Sequence, residues 1–360
     1  MTSEETYLAW LRYALWGGNA PTAVDGEVLR IAALQKTRGL VFNALLKSDI
    51  TLDQDTRLRM QQFLVQTIFT HKKLDSALVR VMTALREADI PAVLLKGQGL
   101  ARNYPDPQMR ECGDIDLYIG PERLEEAIRV LRPVVERVDE RIHDDKHCTL
   151  GIGSAIIELH KRASLTYSRR LERFYHALET EGCSRGLVPL DFDGVQVDTP
   201  EPTFNAFYVF FHAWDHFLEC GIGLRQLCDW ALLLHAQRAQ IDRERLGAIL
   251  DGMQVRLPWQ LFGCIAVEVL GLPAEEMPFY DARRSRSSRR ILRLILQEGN
   301  FGTGRRSLSR RPDNFFFGKA YTFFCTFGRC CKLLPLAPGQ VSKRFVSASR
   351  RRFNDAFKDL

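Results

Sequence analysis

The sequence predicts an α+β fold, with a small mixed β-sheet set between N-terminal helices and a C-terminal helical layer. Two observations carry this. Residues 5–90 and 202–270 place apolar side chains at helical spacing, and between them lie short apolar runs closed by glycine. At 360 residues, 46% apolar and 26% charged, the chain is long enough to bury a full core.

In the first region Leu29, Ile31, Ala32, Leu34 and Leu40 fall in a broad helical stripe. A longer helix runs from Asp53 to Ala88, where Leu64, Ile68, Leu74, Leu78, Val81 and Leu85 are interleaved with charges. Asp53 or Thr51 caps its start. The first strand is Pro91 to Leu95, a short apolar run ended by Lys96-Gly97. The second is Ile115 to Ile119, bounded by Gly113 and Gly120. Pro121 then opens a helix, because its fixed φ suits the first helical position. Leu124, Ala127, Ile128 and Leu131 form the apolar face of that helix, and Pro133 stops it. Ala155 to His160 is a third strand and Gly194 to Thr199 a fourth. Helix resumes from Pro202 to Leu270 and is aromatic at its start, with Phe204, Phe207, Tyr208, Phe210 and Phe211. Residues 282–312 are rich in Arg and Ser with few apolar positions and read as a solvated linker. The expected division is an N-terminal helical region (1–90), a mixed-sheet core (91–200), a helical domain (201–281) and a basic linker with an aromatic and basic tail (282–360). No internal repeat is visible.

The net charge of +6 is unevenly spread. From Arg283 onward 19 Lys+Arg stand against 4 Asp+Glu, which leaves 31 against 40 in the rest. An acidic body is a poor general binder of nucleic acid, whereas a basic tail suits an anionic partner. The tail combines Phe315 to Phe317, Tyr321, Phe323, Phe324 and Phe327 with Lys319, Arg329 and Lys332. It ends in Lys343-Arg344 and Arg350 to Arg352. A helical layer with a solvated basic face is the first reading, the inner face of an anionic membrane the second, and single-stranded nucleic acid the third. Nine cysteines include no Cys-x-x-Cys pair and read as reduced, mostly buried thiols of a cytoplasmic protein. Cys330-Cys331 reads as packing. No apolar run of about 18 residues occurs, and the acidic N-terminus is unlike a signal peptide.

The chemistry concentrates between Val93 and Ile119. Asp114 and Asp116 are two apart on a strand and therefore point the same way, leaving Ile115 and Leu117 for the core. Two carboxylates so close repel, and a cation between them relieves the repulsion. Mg²⁺ (or Mn²⁺) prefers such oxygen ligands together with phosphate. Glu158, in the apolar strand Ile156-Ile157-Glu158-Leu159, is costly to bury unless it is paired or binds metal. On a neighbouring strand it completes a three-carboxylate site. Lys96-Gly97-Gln98-Gly99 follows the first strand, where glycines let backbone N–H groups approach phosphate. Arg110 either neutralises phosphate with its planar fork or pairs with Glu111 or Asp106. His160 shares the face of Glu158 and either orients substrate or acts as a base, ranked below the acids. His212 and His216, four apart on a helix, read first as packing groups that border the substrate cleft, and second as a zinc pair. Arg225 and Asp229, also four apart, read as an intrahelical ion pair or as an anchor of the helical layer against the sheet, bordering the site.

Leu95-Lys96-Gly97-x-x-Leu100, Tyr104-Pro105, Arg110 and Gly113-Asp114-Ile115-Asp116-Leu117 resemble the uncharacterised nucleotidyltransferase family of the DNA polymerase β-like superfamily. Glu158-Leu159-His160, the histidines at 212 and 216, and Leu224-Arg225-Gln226-Leu227-Cys228-Asp229 continue the resemblance in order over roughly residues 30 to 270. The resemblance implies a glycine turn over a triphosphate, formed by Lys96, Gly97, Gln98 and Gly99 with Arg110 and Gly113 nearby. It implies metal on Asp114, Asp116 and Glu158, and transfer of a nucleotidyl group to a hydroxyl acceptor. Many members of the superfamily carry a serine in the phosphate turn, and this chain does not. Two alternatives stand beside this reading. Asp-x-Asp also holds nucleotide-sugars in glycosyltransferases, although there several strands precede the motif. A non-catalytic nucleotide-binding or toxin–antitoxin-type module is the other.

Overall fold

A computed structural model describes residues 1–139, 147–166, 168–306, 328–334 and 341. Four helices precede the first strand. In α1 (Ser3–Trp16) the Thr2 hydroxyl accepts from the Glu5 N–H while the Glu5 carboxylate accepts from the Thr2 N–H, which satisfies two otherwise orphaned donors. The stripe read from Leu29 to Leu40 is divided into α2 (Gly26–Leu34) and α3 (Arg38–Lys47). The break falls at Lys36, whose φ of 56° cannot continue a helix. The 34-residue α4 (Gln54–Glu87) starts as expected at Asp53, which accepts from the Thr56 N–H at 2.8 Å.

One seven-stranded sheet follows. Its strands are β1 (Val93–Leu94), β2 (Asp114–Tyr118), β3 (Arg137–Asp139), β4 (His147–Ile152), β5 (Ala155–His160), β6 (Val188–Phe192) and β7 (Val195–Thr199). Their spatial order is β3-β4-β5-β2-β1-β7-β6, with β2/β5 and β1/β7 parallel and the other neighbours antiparallel. Strands β3, β4 and β6 were not legible in the sequence. β3 is three residues long, β4 mixes Gly and Thr with its apolar positions, and β6 carries Pro189, which an edge strand tolerates because its N–H is not needed in the ladder. Pro121 does not open the next helix. Residues 121–123 form a turn, and α6 (Leu124–Leu131) begins where Ala127 N–H reaches the Arg123 carbonyl.

Strand alternation sorts the sheet into two faces. Ile115, Leu117, Ile157 and Leu159 pack with Leu74, Leu78, Val81 and Leu85 of α4 and with Leu124 and Leu131 of α6. The opposite face, bearing Asp114, Asp116, Tyr118 and Glu158, meets a second core built by α7 (Arg169–Gly182), α8 (Pro202–Glu219), α9 (Leu224–Gln237), α10 (Arg243–Gly252) and α11 (Arg256–Cys264). This core is aromatic: the Phe210 ring lies 5.6 Å from Trp230, 5.0 Å from Trp259 and 5.8 Å from Phe262.

The segment read as a solvated linker is instead largely helical. α12 (Ser285–Glu298) buries Ile291, Ile295 and Leu296 and turns its arginines outward. Its three core contacts recur at helical spacing, and a count of apolar residues alone misses them. Arg329, assigned to the basic tail, is buried and bonded to Glu298 and to the carbonyls of Phe217 and Leu218. Cys330 is half-buried and Cys331 exposed, so packing accounts for only the first of that pair. The tail aromatics from Phe315 to Phe327, Lys319, and the basic groups at 343–344 and 350–352 lie outside the described residues. Among the described residues no helix is long and apolar enough to cross a membrane.

Candidate active site

Strands β2 and β5 run parallel in a register that sets Asp116 beside Glu158 and Asp114 beside Ile156. Because side chains two apart share a face, Asp114, Asp116, Glu158 and His160 converge on one patch. Ligand oxygens of Asp114, Asp116 and Glu158 all lie within 4.8 Å of one another. Asp116 is 1% exposed, whereas Asp114 and Glu158 are partly open to solvent. A cation therefore has an entrance on one side and an anionic floor on the other.

The floor is already partly occupied by nitrogen donors of the protein. Asp116 Oδ1 accepts from Lys96 Nζ at 3.1 Å and from His160 Nε2 at 2.9 Å. Burial alone raises the proton affinity of Asp116, but Lys96 and His160 outweigh it and hold the carboxyl well below the usual carboxylate range. Its Oδ2 is buried with no hydrogen-bond partner. Asp114 is pushed the other way, first by the charge of Asp116 and then by burial, with Lys96 and Arg225 opposing. Burial also works against ionised Glu158, yet the bond from His160 keeps it below its ordinary value. For Lys96 burial works against the charged form, and the three carboxylates reverse that, so its ammonium holds its proton more tightly than usual. The Lys96 Nζ also lies 3.1 Å from His212 Nε2, and the His212 and His216 rings are 4.4 Å apart. His212 thus reaches the cleft through Lys96. No third ligand joins the two histidines in a metal cluster among the described residues.

The glycine turn is shaped by close approach. Gly97 has φ +60°, and a Cβ there would lie 3.0 Å from the Asp114 carbonyl oxygen. Only glycine fits, for both reasons. It leads into the short helix α5 (Gln98–Ala101). A Cβ at Gly99 would meet Thr199 and Leu94 at 3.3 and 3.4 Å, while Gly113 is exposed with open space around it. Gln98 departs from expectation: its side chain is 1% exposed with both amide atoms unpartnered, so the side chain is turned inward and only its backbone is left to face a phosphate.

Arg110 also departs from both expected roles. It is 3% exposed and grips Asp229 with two bonds, Nε to Oδ1 at 2.7 Å and Nη2 to Oδ2 at 2.8 Å. Tyr104 donates its hydroxyl to the same Asp229 at 2.6 Å, and His71 of α4 reaches the Arg110 carbonyl at 2.7 Å. Glu111 pairs with Arg38 and Asp106 with Lys47 instead. Asp229 is therefore an anchor, as the second reading of it held, but its partner is Arg110 on the loop before β2 and not Arg225 one helical turn away. Burial opposes its charge and Arg110 overcomes that, keeping the carboxyl low. Arg225 is freed by this exchange. It is half-exposed, its Nε is buried without a hydrogen-bond partner, and its charge acts on Asp114.

Two residues near the carboxylates were missed. His147 of β4 lies 3.7 Å from Glu158, and its ring is tilted against that of His160 with centroids 5.1 Å apart. The buried Tyr208 hydroxyl has no partner; burial and then the charges of Asp116 and Glu158 raise its proton affinity. His147 carried no signal because the strand that delivers it was not recognised. Tyr208 is, in the sequence, one of five aromatics at the start of a helix, with nothing to set it apart.

The chain matches a family described as an uncharacterised nucleotidyltransferase over residues 22–271. No curated protein matches it. Among solved structures, an antigenic nucleotidyltransferase-like protein from Paracoccidioides brasiliensis aligns over 60% of this chain and 97% of its own, at 11% identity and a TM-score of 0.36.

Proposed function

The chain belongs to the uncharacterised nucleotidyltransferase family, and from that premise we propose that it moves a nucleotidyl group from a nucleoside triphosphate to a hydroxyl acceptor at Asp114, Asp116 and Glu158. The observation that carries this is the carboxylate triad on β2 and β5, with its oxygens within 4.8 Å. The residues fit a divalent cation on the protein's own terms. Asp116 Oδ2 is buried without a donor, and Asp114 resists ionisation chiefly because Asp116 is charged. Mg²⁺ or Mn²⁺ bound there would supply charge neutralisation for the triphosphate and for the acceptor oxygen.

The chain's own groups do the positioning. Gly97 brings the backbone of the turn against β2, where N–H groups of the 97–98 segment serve in place of the absent serine hydroxyl. Arg225 replaces Arg110 as the guanidinium available to phosphate oxygens, because Arg110 is committed to Asp229. Lys96 neutralises Asp116 and stands ready to turn toward phosphate when a cation takes its place. His160 orients Asp116 and Glu158 and is a positioning residue rather than a base. Attack of the acceptor oxygen on the α-phosphorus and departure of pyrophosphate then depend on alignment and charge more than on covalent help from the protein.

Calorimetric titration of ATP, GTP, CTP and UTP, with and without Mg²⁺, tests the reading. Binding of at least one triphosphate is expected to require the metal and to vanish in the Asp114→Ala/Asp116→Ala double variant. Binding that survives the double variant overturns it, as does tight binding of a nucleotide-sugar but of no triphosphate. Release of pyrophosphate distinguishes transfer from binding alone.

A further inference from the structure

Glu158 belongs to two clusters at once. Besides the aspartates, it shares a patch with His147 of β4 and His160 of β5, whose ligand atoms also lie within 4.8 Å of one another. His147 Nε2 is 3.7 Å from Glu158 Oε1, and His160 Nε2 is 3.3 Å from Glu158 Oε2. Donors on a tetrahedral ion with bonds of about 2.0–2.2 Å stand roughly 3.4 Å apart, so these separations already suit a common ion. Two imidazoles and one carboxylate form a nitrogen-rich set that favours a zinc-class transition ion over Mg²⁺.

The orientation of His160 is the second observation. Its Nδ1 faces the Arg162 carbonyl oxygen at 3.3 Å, which fixes the direction of the ring. Nε2 is thereby turned toward Asp116 at 2.9 Å and Glu158 at 3.3 Å. An ion held at Nε2 would take the place of the hydrogen bond to Asp116. A backbone carbonyl fixing the far nitrogen is the usual support of an imidazole ligand.

We propose that His147, His160 and Glu158 hold a second divalent cation of the zinc class, beside the cation assigned to Asp114 and Asp116. This rests on the proposed reading to the extent that the two ions share Glu158. Two ions of different ligand chemistry would then stand side by side, one on carboxylate oxygens alone and one with two imidazole nitrogens.

Co²⁺ alone, titrated into the metal-free full chain, is the probe. Four-coordinate cobalt with imidazole ligands absorbs strongly in the visible, whereas cobalt held only by oxygen in six-coordination absorbs weakly. The wild type is expected to show the strong band, displaced by Zn²⁺ and not by Mg²⁺. His147→Gln should weaken cobalt binding by more than the roughly 10–100-fold that loss of an outer support costs. Asp114→Asn should keep the band while losing Mg²⁺-dependent triphosphate binding. A band that survives His147→Gln, or a weak oxygen-type spectrum in the wild type, overturns the proposal. Loss of the band in both variants overturns it too, by reducing the two sites to one ion. Failure of the nucleotide reading is seen separately, as no Mg²⁺-dependent triphosphate binding in the wild type whatever the cobalt spectrum.

Discussion

Asp114 and Asp116 are two residues apart and chemically alike, yet their neighbours divide them. Asp116 receives Lys96 and His160 and stays ionised, while Asp114 faces the resulting charge. In the metal-free protein the contribution of Asp116 to stability is therefore present above the ordinary carboxylate range and is lost in acid. That of Asp114 has the opposite sign: it is present below the ordinary value, about pH 4, and is lost as pH rises through its raised value. Asp114→Asn in EDTA is expected to raise stability near neutral pH by about 0.5–2 kcal/mol, a gain taken from function. Denaturant titrations at several pH values should show the advantage growing with pH and disappearing in acid. Lys96→Ala has the reverse effect, since it leaves three carboxylates without their resident ammonium. A loss of about 1–3 kcal/mol is expected in EDTA. Mg²⁺ at 100 times the variant's Kd should return about 2.7 kcal/mol, and at equal Mg²⁺ concentration the thermal shift should exceed that of the wild type, whose Lys96 competes with the ion.

At the scale of elements, the site depends on how the turn after β1 and the loop before β2 are held. Gly97→Ala places a Cβ against the Asp114 carbonyl in a backbone conformation that L-residues avoid. A cost of about 1–3 kcal/mol and weaker triphosphate binding are expected together, measurable by denaturation and calorimetry on one preparation. The Arg110–Asp229 pair clamps that loop to α9, with Tyr104 and His71 completing the hold. Removing either partner leaves a buried charge, so Asp229→Ala and Arg110→Ala should each lose about 3–5 kcal/mol. The double variant should lose much less than the sum, because the second substitution removes the stranded charge. Tyr104 and Arg110 lie 125 and 119 residues before Asp229, and the three form one structural unit.

For the whole molecule, a sheet with one apolar face on α4 and α6 and the other on the aromatic helical layer leaves its carboxylates at the junction of two cores. α12 belongs to the second core. Ile291 and Ile295 are fully buried, and truncating either to Ala should cost about 2–5 kcal/mol in thermal or denaturant unfolding. A solvated linker would show no such loss.

The sequence alone determined the long capped helix α4, four of the seven strands, and the convergence of Asp114, Asp116 and Glu158. These rest on local periodicity: a repeat of two sets which side chains share a face, and a repeat near 3.6 sets a helix. It did not determine the short or polar strands β3, β4 and β6, and with β4 it lost His147. Nor did it determine pairing. Whether Arg110 meets a phosphate, Glu111 or Asp229 depends on which groups the fold brings within about 3 Å, and residues 119 apart in sequence carry no local sign of that contact. Tertiary structure decided that Arg110 clamps the loop before β2 to α9 and leaves Arg225 without Asp229 as its partner.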